Sequence, residues 1–522
     1  MDEAQTDRAG ELFDALYGGT EDSVLALLRA GAPAEATDEE GQTPLYLAAV
    51  AGEPGIVRLL LVAGADPDRA CGPDRDDLPL CGAAVGGHTE VVRALLTGGA
   101  TPDLREALGF TALAWAVGQG HAGTVEALLE HGADPDLTCP GGEAPLVVAA
   151  RRGSPSTVRA LLRHGAGSRT EALHEARSWL ERDVENSLRE ALLTAYGQDA
   201  ETVARRVAED GGSTVIVEVL RDGRPAAGNE QQTGHGAIAT LLEAELGVRT
   251  PYATLAERAL REGDPERDDW TESVAALWRR GDEETFQAAA AWCASDDPLR
   301  RAFAADVLSE LGFAGAGADP AAGRVLRDRD GTVRHADGVE RPFAARALPL
   351  LRELSREARD PELVQAAVNA LGHHADPAAV PDIVRHAAHP GAPVRRRVAT
   401  ALCGLVPGDD AEGLAALITL GGDPDTEVRD WATTALAGVA ADTPEIRAAL
   451  AARLDDPHPD TAAEAARGLA VRQDPRAEAA LSRLLADQPP ETHAHRTATD
   501  AVRHLTDPHL RTRLASTVPR RP

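Results

Sequence analysis

A Gly-Ala dipeptide returns through the first third of the chain, at Gly31-Ala32, Gly64-Ala65, Gly99-Ala100, Gly132-Ala133 and Gly165-Ala166, with spacings of 33, 35, 33 and 33 residues. A second glycine series keeps the same register at Gly19, Gly52, Gly87, Gly120 and Gly153, and a leucine series at Leu12, Leu45, Leu80, Leu113 and Leu146. Three markers on one beat restrict the fold to a stack of similar units, none able to bury its apolar face alone. Each unit reads as two short helices and a turn. In the second, Thr43 can cap a helix and Pro44 suits its first turn, where no N–H is needed. Leu45, Ala48 and Ala49 face inward, and Gly52 ends the helix. Ile56, Val57, Leu59, Leu60 and Leu61 form the stripe of the second helix, which Gly64 closes.

The segments Thr43-Pro44-Leu45, Gly87-His88-Thr89-Glu90-Val91-Val92 and Gly132-Ala133-Asp134-Pro135-Asp136 resemble ankyrin repeats, of which residues 1–170 then hold five. The family's Thr-Pro-Leu-His departs to Thr-Pro-Leu-Tyr at 43–46 and to Leu-Pro-Leu-Cys at 78–81. His88 and His121 fall at the family's Gly-His position and are read as structural. Asp14 stands where other units carry Leu47, Gly82, Trp115 and Val148, which suits an N-terminal cap with one face in water. The 35-residue interval puts two extra residues into the turn from Cys71 to Asp77. Ankyrin arrays bind partners on their turn tips and on the outer face of each first helix. The resemblance therefore nominates Glu39, Glu40, Gln42, Asp74, Arg75, Asp77, Phe110, Gln119, Arg151 and Arg152 as partner-binding positions. Phe110 is either an exposed interface anchor or packed on its neighbouring turn.

The beat stops near residue 170. Residues 171–209 read as helices, from the spacing of Leu173, Ala176, Leu180, Val184, Leu188, Leu192 and Leu193. Thr214–Leu220 is the best strand candidate, and Asp222-Gly223 can turn it back as a small hairpin. Residues 223–234 are polar and Gly-rich and read as an exposed loop. His235 opens a helix-like run, with no nucleophile or acidic partner at a recognisable spacing.

From about residue 266 a looser beat appears: Ala276-Leu277, Val307-Leu308, Ala370-Leu371, Ala401-Leu402, Ala435-Leu436, Gly468-Leu469 and Ala501-Val502. The one long interval carries an insertion, about Gly312–Arg341, with a hairpin signal at Asp330-Gly331. Asp-Pro pairs at 297, 360, 376, 456, 474 and 507 read as helix starts. The segments Val394–Leu402 and Val428–Leu436 resemble HEAT-like repeat helices, the subtype named after bilin lyases. HEAT-like iron hydroxylases bind metal through repeated His-Glu pairs. This chain has one such pair, His174-Glu175, outside the array, so no metal site is expected. His373-His374 reads as a solvent-facing turn, and Arg395-Arg396-Arg397 as a solvated helix start or, alternatively, a contact for an acidic partner.

Composition narrows the function. Across 522 residues the net charge is −31, which repels nucleic-acid backbones and anionic membranes. All basic residues are arginine, so chemistry that needs a P-loop, kinase or Schiff-base lysine is excluded. Five cysteines without a C-x-x-C pair suit reduced thiols in a cytoplasmic protein. No signal segment or apolar run of membrane-spanning length is visible. The chain is thus expected to be mainly α: two α-solenoids joined by a helical linker with a small β-hairpin. The expected domains are an ankyrin array at 1–170, a linker at 171–265 and a HEAT-like array at 266–522. The expected role is a monomeric, non-catalytic scaffold that binds a protein partner on its concave repeat surfaces, with no cofactor, nucleic acid or membrane. The alternative is a HEAT-like repeat enzyme of the bilin-lyase or protein-modification type.

Overall fold

The computed structural model describes residues 3–18, 20–73, 76–209, 211–312, 325–327, 333–335 and 342–517. It divides into two compact units, Met1–Ala276 and Leu277–Pro522. In the first, the helices come in pairs: α1 (Glu3–Gly18) with α2 (Glu21–Arg29), α3 (Pro44–Ala51) with α4 (Pro54–Val62), α5 (Pro79–Val85) with α6 (Thr89–Thr97), α7 (Ala112–Gln119) with α8 (Ala122–Glu130), and α9 (Pro145–Arg152) with α10 (Pro155–Arg163). First helices pack in one row and second helices in another. The leucine series Leu12, Leu45, Leu80, Leu113 and Leu146 lies buried where the rows meet. Each such side chain removed from water contributes about 2 kcal/mol. Thr43 and Thr111 hold extended backbone, and their hydroxyls accept from Tyr46 N and Ala114 N, capping α3 and α7 as the sequence implies.

The row of first helices continues into α11 (Arg169–Leu180), which packs beside α9. The chain then leaves the array through α12 (Val184–Tyr196) and an antiparallel sheet of β1 (Glu201–Glu209), β2 (Gly212–Arg221) and β3 (Arg224–Gln232). It returns with α13 (His235–Glu245), packed on α11 and α10. Helix α13 is the second helix of a sixth unit, and three contacts show it. His88 Nε2 lies 3.0 Å from Val50 O and His121 Nε2 lies 3.1 Å from Val85 O, carbonyls two residues ahead of Gly52 and Gly87. His235 Nε2 lies 3.2 Å from Arg151 O, two residues ahead of Gly153. A Cβ at Gly52, Gly87 or Gly153 would meet that histidine ring at 2.7, 2.8 and 2.7 Å, so glycine is required for the close approach. The far end matches too. Gly247 N donates to Ala244 O and Val248 N to Glu243 O, as Gly165 N does to Leu162 O and Ala166 N to Leu161 O.

The structure corrects the expectations for this stretch. Residues 201–209 are a strand rather than helix, residues 224–232 are a strand rather than a loop, and the hairpin is a three-stranded sheet. Val215, Val217 and Val219 of β2 are buried with Leu192, against Val184 and Leu188 of α12. A strand buried on one face must have its backbone groups paired on both edges, and the more exposed β1 and β3 supply those bonds. Next come α14 (Tyr252–Glu262) and α15 (Asp268–Arg280). Arg258 of α14 donates to Glu243 of α13 in a buried pair at 2.7 Å. Asp269 Oδ1 accepts from Ala237 N at 2.6 Å, capping α13 from outside its own helix.

The second unit adds α16 (Glu283–Trp292) and α17 (Pro298–Gly312), then β4 (Val325–Arg327) paired antiparallel with β5 (Val333–His335). The Asp330-Gly331 signal between those strands lies outside the described residues. Then follow α18 (Ala344–Glu357), α19 (Pro361–His374), α20 (Val380–Val384), α21 (Ala392–Leu402), α22 (Ala411–Leu420), α23 (Thr426–Gly438), α24 (Pro444–Ala451), α25 (Pro459–Val471), α26 (Ala477–Asp487), α27 (His493–Val502) and α28 (Pro508–Ala515). Helices α17, α19, α21, α23, α25 and α27 pack successively, and from Val307-Leu308 onward the small-aliphatic pairs of the second beat all lie on this row. Asp360 and Asp507 cap α19 and α28 as expected. Asp456 and Asp474 do not open helices, since α25 begins at Pro459 and α26 at Ala477; Asp456 is paired with Arg429 of α23, and Asp474 with Arg476 of its own turn and Arg447 of α24.

Candidate protein-binding surface

The turns ahead of the first helices are built by short side chains. Asp38 Oδ1 accepts from Glu40 N at 3.0 Å and Gln42 N at 2.8 Å. This local bond fixes the loop and leaves Glu39 and Glu40 exposed, with Gln42 half-buried. Gly72 N donates to Gly41 O at 3.0 Å, tying that turn to the next. There Asp77 and Cys71 exchange backbone bonds of 3.0 and 3.1 Å and close the two-residue-longer turn. Asp74 and Arg75 lie outside the described residues.

Phe110 is not a free-standing anchor. Its ring is stacked on Trp115 of α7, with centroids 4.2 Å apart. Gln119 is exposed at the end of α7. Arg151 is held between Glu143 at 2.5 Å and Glu175 at 3.0 Å. The bond from Arg151 holds the Glu143 carboxyl below the usual carboxylate range. Burial acts against the same effect at Glu175, which the bonds from Arg151 and Trp179 still hold low. Arg152 pairs with Glu230 of β3 at 2.6 Å. The nominated positions therefore fall into two sets. Glu39, Glu40, Gln42, Asp77, Phe110 and Gln119 belong to the second to fourth units, whereas Arg151 and Arg152 are engaged within the chain.

Sequence reasoning missed the groups between these positions. Tyr46 and Val50 of α3 lie against Gly82 of α5, where a Cβ would meet them at 3.1 and 2.8 Å. Trp115 Nε1 donates to Glu106 Oε2 at 2.9 Å, joining α7 to the turn before it. Burial pushes the Glu106 carboxyl up, and Asp77 adds to the push against the Trp115 bond. Burial, together with Asp77, Cys71 and Glu106, raises the Tyr46 phenol to about 12. A legible signal existed: α3, α5 and α7 contain no charged residue, in a chain that is 26% charged.

In the second unit the repeat-to-repeat contacts are ionic. Arg395 of α21 donates to Asp423 at 2.7 Å and to the carbonyls of His389 and Pro390 at 2.9 Å. Arg429 of α23 repeats the motif on Asp456 at 3.0 Å and on the carbonyls of Asp423 and Pro424. In both, an arginine in the first turn of a helix closes its own turn and reaches the carboxylate of the next repeat. Family models for ankyrin repeats match residues 40–71, 64–139, 80–172 and 113–211, and a model for HEAT repeats matches 348–437 and 413–498. The chain carries ankyrin repeats followed by HEAT repeats. No curated protein matches it.

Two expectations for the HEAT region are corrected. The arginine run is not a solvated helix start: Arg395 is mostly buried on Asp423, Arg396 pairs with Glu427, and Arg397 donates to Asn369 at 3.3 Å. These are contacts between repeats. His373-His374 is not a solvent-facing turn either. His374 is buried with Nε2 3.1 Å from Leu308 O, and His373 Nδ1 lies 2.9 Å from Ser309 Oγ. The pair fills the seam between α17 and α19, and burial pulls the His373 imidazole down. Ser309 and His373 resemble a nucleophile and its base. Glu310, however, approaches the same nitrogen, Nδ1, at 3.9 Å, so it does not orient the ring from the far side as a relay requires. Among the described residues, no three His, Cys, Asp or Glu side chains are grouped to hold a metal ion, and no helix is long and apolar enough to cross a membrane.

Proposed function

We propose that this chain is a non-catalytic scaffold that binds protein partners along its repeat surfaces. Ankyrin and HEAT repeats are generally protein-interaction modules. The observation that carries the reading is the uncharged outer face of α3, α5 and α7, which the repeat core does not use: Val50 and Val85 are 44% and 40% exposed. Titratable groups with unusual surroundings, such as His235, Asp269 and Glu243, are meanwhile committed to internal contacts. On this reading the ankyrin array, extended past residue 170 by its sixth unit, and the HEAT-like array (266–522) each present a surface. Glu39, Glu40, Gln42, Asp77, Phe110 and Gln119 edge the first surface, and Arg151 and Arg152 reach a partner by exchanging their internal pairs. The chain then acts as a cytoplasmic monomer without nucleic acid or cofactor.

Affinity purification from the native cell tests this, with the intact chain as bait. A protein enriched by the wild type and lost with Val50→Asp/Val85→Asp supports the reading. No enrichment above background by a folded bait overturns it.

A further inference from the structure

The corner where the first helices meet their turns has two unlike walls. One wall is the uncharged face of α3, α5 and α7, with Tyr46, Val50, Val85 and Trp115 half-buried or exposed. Gly82 and Gly118 keep this face shallow; a Cβ at Gly118 would meet nothing within 4 Å. The other wall is the turn edge, where Glu106 and Asp77 follow the exposed Glu39 and Glu40. The cations there are committed: Arg69 is paired with Glu35, and Arg105 donates to the carbonyls of Gly109 and Thr138. A bare apolar strip of this kind favours burial under a partner. The acidic edge, repelling itself, favours a cation placed over the aromatic rings.

We infer that this groove on the second to fourth ankyrin repeats takes a peptide segment that lays apolar side chains on Val50, Val85 and Trp115 and sets an arginine or lysine against Glu106 and Asp77, beside Tyr46. This rests on the scaffold reading and names the chemistry of the partner. The groove is net anionic, with Glu39, Glu40, Asp77 and Glu106 set against Arg105, whose charge is held by the carbonyls of Gly109 and Thr138, and a basic peptide complements it. Burial raises the Glu106 carboxyl, and a partner cation beside it offsets that effect.

The test uses the full-length chain and three fluorescein-labelled dodecapeptides, alternating leucine–arginine, leucine–glutamate and serine–arginine, followed by fluorescence anisotropy. The leucine–arginine peptide is expected to bind at least tenfold more tightly than the other two. E106Q and G118W are each expected to weaken it at least fivefold, and E412Q, which removes an exposed charge in the other unit, to leave it unchanged. A Cβ at Gly118 meets nothing within 4 Å, so G118W is expected to block the groove with the net charge unchanged, and its melting temperature, measured beside the wild type, checks that the fold is kept. Equal binding of the serine–arginine peptide, equal weakening by E412Q and E106Q, or full affinity in G118W overturns the inference. A native partner captured equally well by wild type and G118W also overturns it, yet leaves the scaffold reading standing.

Discussion

His235 shows how one side chain can be repurposed by its surroundings. It stacks on Trp179 with centroids 5.0 Å apart, and it is almost wholly buried. Burial pulls its pKa down to about 4, against the smaller lift from the Arg151 carbonyl. Above pH 6.5 the ring is neutral in both folded and unfolded chains and adds no pH dependence. Below pH 6.5 the unfolded chain takes up a proton that the folded chain refuses, so stability falls until about pH 4, by about 3 kcal/mol in all. Asp269 has the opposite sign: burial raises its carboxyl to about 6, so it favours the fold as pH drops below that value. Comparing His235→Gln with wild type cancels Asp269. Urea unfolding at pH 7 and pH 5 is expected to show the wild type losing about 2 kcal/mol more than the variant over that interval. Equal losses in the two proteins would show that His235 is not held neutral.

Among the elements, the sixth ankyrin repeat explains both what the sequence revealed and what it hid. Its inner leucine, Leu173, and its Gly-His pair, Gly234-His235, are 61 residues apart, against seven from Leu80 to Gly87 and from Leu113 to Gly120. No fixed beat survives such an insertion, so the sequence shows five units and a broken pattern. Strand β1 was hidden for a related reason: Glu201–Glu209 has no strict alternation of apolar and polar residues, and its state is decided by pairing with β2. Deleting Leu180–Thr233, so that Gly234 follows Trp179, restores the seven-residue interval. The shortened chain is expected to stay folded, with its β signal in circular dichroism lost and its helical signal kept. The lost contacts with Arg152 and with Glu262, Arg267 and Asp268 are expected to lower stability by about 3–5 kcal/mol. A chain that no longer folds would show that α12 and the sheet are integral to the array rather than inserted into it.

At the scale of the whole molecule, charge is the dominant global property. A net charge of −31 makes the folded chain repel itself. Pairs as exposed as Arg503–Asp500 add little. Raising sodium chloride from 20 to 300 mM shortens the screening length, and the melting temperature is expected to rise by about 2–4 °C. A fall would mean that attractive pairs such as Arg429–Asp456 outweigh the general repulsion.

The sequence by itself determined the repeat architecture, because a helix pair that cannot bury its face alone must recur in register, and glycine, proline and leucine record that register directly. It also determined caps such as Thr43 and Asp360, which depend on residues two or three apart. Only the tertiary structure decided the sixth repeat and the fates of Arg395, His373 and His374, since each rests on partners about 30 to 80 residues away, and the three-stranded sheet, whose outer strands are set by pairing with β2. The binding surface lies between these cases. Its turn acids were readable from periodicity, but the junction of Tyr46, Glu106 and Trp115 forms only when neighbouring repeats pack, bringing a helix face and a turn edge into one corner.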